Sequence, residues 1–223
     1  MKIYHIIAIS WFLMLIFANS SNAKEDSGFS VTRIQYDGGG DWYSDPSSLP
    51  NLLKFLSSNT NIQVSKDEKR ARIGDEIFNN SNFLYITGHG NISFSEYEIN
   101  TLRNHLLSGA FLHADDNYGM DEHFRREMNK VFPDKNWVEL PTGHDIFNIM
   151  YDFPNGLPKV HKHNDKRPQA LGIFHDGRLL VLYTYESDLG DGWEDSEVHN
   201  NPELIRDMAL KMGANIIIYS LIN

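Results

Sequence analysis

Histidine and aspartate gather in this chain where apolar runs end. Asp37 and Asp41 flank a Gly38-Gly39-Gly40 turn, and His89 stands between Gly88 and Gly90. Asp115, Asp116 and Asn117 close the run Ala110–Ala114. His144 and Asp145 follow a short run stopped by Pro141, and Asp188 and Asp191 lie in an acidic stretch that also holds Trp193. Imidazoles and carboxylates from separate segments can form an acid/base pair or hold a divalent metal through nitrogen and oxygen donors. The residues expected to line such a cleft are Asp41, His89, Asp115, Asp116, Asn117, His144, Asp188 and Trp193. Of these, His89, Asp115 and His144 are the candidate metal ligands. No cofactor is predicted, although a divalent metal is compatible with these donors.

Spacing narrows the choice. Asp115 and Asp116 are adjacent, so within a strand they point to opposite faces; both serve one centre only where the backbone has already turned. His161 and His163 fall on one side of an extended segment, a spacing compatible with metal, but a lysine-rich loop more often leaves such a pair exposed. Residues 186–195 are as acidic as a calcium loop yet lack the ordered ligands and closing Glu of an EF-hand. Ser44 and Ser81 have no G-x-S-x-G elbow around them, and the glycine turn at 38–40 has neither P-loop nor G-x-G-x-x-G form. The chain has no cysteine, which removes thiolate nucleophiles, thiolate metal sites and disulfides.

Such residues meet only if strands end side by side, as in an open parallel sheet, where ligands bind beyond the carboxyl ends. The pattern supplies that scaffold. Phe29–Tyr36 reads as a first strand, and Leu49, Leu52, Leu53 and Leu56 mark a helix with Ser47 or Ser48 at its start. Ile62–Val64 reads as a short strand, residues 65–72 as a solvated charge cluster and Asp75–Asn79 as a brief helix. Phe83–Thr87 is apolar throughout, as expected of a strand buried on both faces. Ser95 and Glu98 form a capping box, Phe94 and Ile99 have staple spacing, and Gly109 sits where a helix ends. With Ala110–Ala114 as the next strand, this is a parallel, right-handed βαβ unit. Met120–Val131 predicts another helix and Trp137–Leu140 a short strand. Ala170–Phe174 and Leu179–Tyr185 around Asp176-Gly177 predict a hairpin. Pro202 opens a last helix expected to run to the C-terminus despite Ile216-Ile217-Ile218.

Residues 1–23 read as a signal peptide, with Lys2, the apolar run Ile3–Ala18 and Ser21 and Ala23 at the cleavage site. Residues 24–223 then form a single α/β domain, begun by a flexible stretch and with no further apolar run of membrane length. The formal charge of −10 repels phosphate backbones and argues against nucleic acid as a partner.

The runs Gly39-Gly40-Asp41-Trp42-Tyr43, Thr87-Gly88-His89-Gly90, His113–Gly119, His144–Phe147, Gly177-Arg178, Ser187–Asp195 and Asn215–Tyr219, in that order, resemble bacterial domain-of-unknown-function family 4159 over nearly the whole mature chain. More distantly, Gly109-Ala110, His144-Asp145-Ile146 and Gly177-Arg178 with Trp193 are similar to the trehalose-utilisation-like branch of the class I glutamine-amidotransferase-like fold. This resemblance implies a flavodoxin-like three-layer sandwich, its sheet mostly parallel with a C-terminal antiparallel hairpin. It does not extend to amidotransferase activity, because such enzymes need a cysteine and Asp115, Asp116 and Asn117 stand near the equivalent strand end. Family members often occur within membrane-anchored proteins, which implies an exported, periplasmic or secreted domain. The expected partner is a small ligand or an envelope protein. A ligand- or partner-binding domain is favoured by the absence of a complete catalytic motif; the alternative is a His/Asp hydrolase using a metal.

Overall fold

The computed structural model describes residues 28–223 except Asn164. The expected signal peptide at 1–23 and the start of the mature domain at 24–27 lie outside the described residues.

Alternation along the central strands sets the layers. Strand β1 (Thr32–Ile34) leads to helix α1 (Ser48–Asn59), then strand β2 (Lys69–Ala71) and the single turn α2 (Glu76–Asn79). In β3 (Phe83–Ile86), Leu84 and Ile86 face one core while Phe83 and Tyr85 face the other. Helix α3 (Glu96–Leu107), strand β4 (Phe111–Asp115) and helix α4 (Asp121–Val131) follow, then β5 (Val138–Glu139) and a 3₁₀ turn (Asp145–Phe147). The hairpin β6 (Gln169–His175) and β7 (Arg178–Tyr185) precedes α5 (Leu189–Trp193), α6 (Ser196–His199) and α7 (Glu203–Ile222). Phe78, Leu102, Leu106, Phe124 and Met128 from α2, α3 and α4 fill one face of the sheet. Leu52, Leu53 and Leu56 of α1, Trp193 of α5 and Met212 and Ile216 of α7 fill the other. The strand order is β2-β1-β3-β4-β7-β6-β5. Its first five strands are parallel, and only β6 runs against its neighbours. Those five have the 2-1-3-4-5 order of a flavodoxin-like doubly wound sheet, so their carboxyl ends share one rim.

Local chemistry explains most elements. Ser95 and Glu98 close the expected capping box, with Ser95 N donating to Glu98 Oε2 at 2.8 Å and Glu98 N to Ser95 Oγ at 3.3 Å. Asp176 and Gly177 turn the hairpin with φ of 49° and 84°, as a two-residue primed turn requires. Three readings change. The charge cluster 65–72 contains the edge strand β2, drawn in because buried Arg33 pairs with Glu68 at 3.0 Å. Ile62–Val64 contributes only a bridge from Val64 to Phe29. Helix α1 is not capped by a serine side chain: Glu194 Oε1 accepts from Ser47 N at 2.8 Å and Ser48 N at 3.1 Å. That bond ties the start of α1 to the segment after β7. Among the described residues, no helix is long and apolar enough to cross a membrane.

Candidate metal centre

The chain turns sharply after β7. Glu186 and Asp188 both adopt left-handed backbone, φ 58° and 61°, which costs a non-glycine residue about 1 kcal/mol or more. Leu189–Trp193 then winds one buried helical turn where the sequence suggested an open acidic loop. Glycines allow it to sit so deep. A Cβ at Gly190 would lie 2.8 Å from Asp45 Oδ2, and one at Gly192 would meet the Ala209 Cβ at 2.4 Å. Asp115 fixes the turn from the strand beneath, with Oδ2 accepting from Gly190 N at 2.7 Å and Oδ1 from the Thr184 hydroxyl. Trp193 is fully buried and donates Nε1–H to Ala209 O at 2.8 Å. It supports the turn as core and does not line the opening.

This turn presents Asp188 and Asp191 to two imidazoles that arrive on the 158–167 loop. His163 Nε2 lies 2.7 Å from Asp188 Oδ2, and His161 Nδ1 lies 3.7 Å from the same oxygen and contacts Asp191 Oδ2. One ligand atom from each of His161, His163, Asp188 and Asp191 falls within 4.8 Å of all the others. The loop is held in place by Val160 N donating to Ser187 O at 2.9 Å and by Ser187 Oγ donating to Pro158 O at 2.6 Å. Both carboxylates are buried, whereas the His161 side chain is 41% exposed, so the cluster opens to solvent on the histidine side.

A third carboxylate stands behind them. Asp45 accepts from Asn117 Nδ2 at 2.5 Å, and Asn117 in turn accepts from Thr87 Oγ1 at 3.1 Å. Arg33 holds the Asp45 backbone, donating to the Ser44 carbonyl at 2.8 Å and the Asp45 carbonyl at 3.2 Å. His199 Nε2 lies 3.1 Å from Asp191 Oδ1. At the mouth, Tyr118 stacks on His163 with ring centroids 4.8 Å apart, and Asp41 Oδ2 lies 3.1 Å from His89 Nδ1.

Packing carboxylates together out of water raises their pKa values. Burial, then the charges of Asp191, Asp115 and Asp45, hold Asp188 well above the usual carboxylate range. Asp188 Oδ1 is buried with no hydrogen-bond partner. Asp115 is pushed up to about 7 by burial, against hydrogen bonds from Thr184, Gly190 and Leu189. Asp45 is pushed up to about 6 by burial, offset by Asn117. His163 is shifted down by burial and by neighbouring His161, which favours the neutral imidazole that a metal needs.

The predicted residues thus fall into separate places. Asp188 is in the cluster, Asp115 and Asn117 position it, and Asp41 and His89 pair at the mouth. Asp116 leaves the opposite face of β4, accepting from Glu186 N at 3.4 Å. His144 accepts from Ile146 N and packs against Phe174 and Tyr219, in a different neighbourhood. The metal-ligand set His89, Asp115 and His144 is not assembled; His161, His163, Asp188 and Asp191 are brought together in its place. Asp45 and His199 carry no sequence signal, since a lone Asp before proline and a lone His near a helix end are commonplace. A groove of about 890 Å³ between α1 and residues 60–67 holds none of the candidate residues.

The sequence model of one family, Domain of unknown function (DUF4159), matches residues 30–221. No curated protein is significantly similar to the chain.

Proposed function

The chain belongs to that family, whose label states no activity, and we propose that it is a divalent-metal-dependent hydrolase of the bacterial cell envelope. The observation that carries this reading is the convergence of four donors, His161, His163, Asp188 and Asp191, within 4.8 Å at the strand-end rim. Two imidazoles and two carboxylates without thiolate suit zinc, manganese or iron. Four protein donors fill a tetrahedral zinc shell but leave positions for water on a five- or six-coordinate cation, and the cluster faces solvent on its half-exposed His161 side; sites with fewer protein ligands than the metal accepts are the hydrolytic kind. Bound metal would supply Lewis acidity and lower the pKa of a water. The protein's part is to hold neutral imidazoles and ionised carboxylates in place, through Asp115 beneath the turn and Ser187 beside the loop. Tyr118 and the Asp41–His89 pair stand where a substrate would enter. Export is supported by the signal-peptide pattern of residues 1–23.

The test is metal content by mass spectrometry after exposure to Zn²⁺ and desalting, followed by turnover of chromogenic ester, phosphate and glycoside substrates with and without chelator. Stoichiometric zinc with chelator-sensitive turnover is expected. Bound zinc without turnover would favour a metal-containing domain that binds a small ligand or an envelope protein. A chain that takes up no metal would refute both.

A further inference from the structure

A second donor cluster shares a residue with the first. Asp45, Asp191 and His199 also offer ligand atoms that all lie within 4.8 Å of one another. Asp191 belongs to both sets, and its two oxygens are divided between them. Oδ2 meets His161 Nδ1, and Oδ1 lies 3.1 Å from His199 Nε2. Two-metal hydrolytic sites hold their ions about 3.5–4 Å apart, a separation that one carboxylate spans.

We infer that the centre is dinuclear, with Asp191 bridging a first divalent cation held by His161, His163 and Asp188 and a second held by Asp45 and His199. The inference rests on the metal-dependent reading above and extends it. One buried polar atom points the same way: Tyr85 Oη is without a hydrogen-bond partner. Tyr85 Oη lies beside the second set: a Cβ at Gly190 would stand 3.4 Å from it and 2.8 Å from Asp45 Oδ2. Charge balance agrees. Asp45, Asp188 and Asp191 are all buried. With Asp115, buried beneath the same turn, they carry four negative charges when ionised, which two divalent cations neutralise; a single cation leaves negative charge buried, at a cost. The second set is also firmly placed, with Asn117 and Arg33 on Asp45 and Asn201 Nδ2 donating to the Asp191 carbonyl at 3.3 Å.

The full chain, stripped with chelator, is loaded with excess Zn²⁺ and desalted, and zinc per chain is counted. A parallel sample loaded with Mn²⁺ is examined by electron paramagnetic resonance. The expected result is two zinc ions per chain and an exchange-coupled manganese spectrum. His199→Ala, a change at the rim of the fold, should lower the count to one and leave an uncoupled manganese signal. Asp45→Asn should do the same without straining the backbone, since Asn tolerates the φ of 54° found there. One zinc in the wild type, or two that His199→Ala leaves in place, overturns the dinuclear assignment while sparing the metal-dependent reading. No zinc at all overturns both.

Discussion

Replacing Asp188 by Asn separates a metal ligand from a residue that merely holds the fold. The backbone tolerates the change. Asp188 has φ 61° and ψ 55°, and Asn is among the few residues that enter the left-handed region readily. Shape is kept and one buried charge is removed. The ligand atoms of Asp188 and Asp191 lie within 4.8 Å; at an effective dielectric of about 20, two full charges at that separation repel by about 3.5 kcal/mol. Protonation of Asp188 and the facing imidazoles relieve part of this, so the metal-free variant should be more stable by about 1–2 kcal/mol, a Tm rise of roughly 2–8 °C for a domain of about 200 residues. Zinc should reverse the ranking. At a hundred times Kd it adds about 2.7 kcal/mol to the wild type, roughly 5–11 °C, and nothing to a variant that cannot bind. Thermal unfolding of both proteins, with chelator and with zinc, measures all four values. A lower metal-free Tm for Asp188→Asn would show that the carboxylate serves the fold through its histidine pairs. A zinc shift retained by the variant would show that it is not a ligand.

Three other substitutions probe the supports. Arg33→Lys keeps the charge but cannot span Glu68 and the Ser44 and Asp45 carbonyls together; urea unfolding should show a loss of about 2–3 kcal/mol, with zinc uptake reduced as well. His113 is buried and held down at about 3, below the unfolded value of about 6.5, so the unfolded chain binds the extra proton between those values and stability falls as pH drops through that window. His113→Gln should remove this slope, making the loss of stability from pH 7 to pH 5 smaller by about 2 kcal/mol in urea unfolding. Asp116 has the opposite sign: burial lifts it to about 6, so its cost grows as pH rises from about 4 to 6, and Asp116→Asn should raise Tm at pH 7 but not at pH 4.

The fold was legible because it rests on local signals. The box Ser95–Glu98, the unbroken run at β3 and the Asp176-Gly177 turn each carry their own physics, and each appears where the pattern puts it. Strand β2 was not legible, because Lys69, Arg70 and the nearby Glu68 look solvated until the buried Arg33 is known to face them. The site divides in the same way. That His and Asp should converge at strand ends follows from a parallel sheet. Which ones converge depends on the path of the 158–167 loop, a long-range packing result fixed by Ser187 and Pro158. The lysine-rich setting of His161-x-His163 argued for exposure, and the sequence could not say that two buried aspartates waited beneath it. The glycines of Gly190-Asp191-Gly192 were the available clue. They interrupt an acidic loop in the sequence, and they are small because the turn is packed against Asp45 on one side and Ala209 on the other.

A histidine–aspartate staple that ties a loop to a sheet would also bring these residues together, and the two accounts differ in what they leave unsatisfied. A staple needs one carboxylate for each imidazole and gains by satisfying both partners. Here Asp188 Oδ1 is buried and unpaired, Asp188 is held well above the usual carboxylate range by burial and then by the charges of Asp191, Asp115 and Asp45, and the backbone on either side of Ser187 is left-handed without glycine. Each of these is a cost that a staple has no reason to bear. A cation would lower the first two, taking up the free oxygen and offsetting the repulsion among the carboxylates. On the proposed reading a cation supplies the missing partner and charge, while the loop is held independently by Val160 N on the Ser187 carbonyl and by the Ser187 hydroxyl on the Pro158 carbonyl.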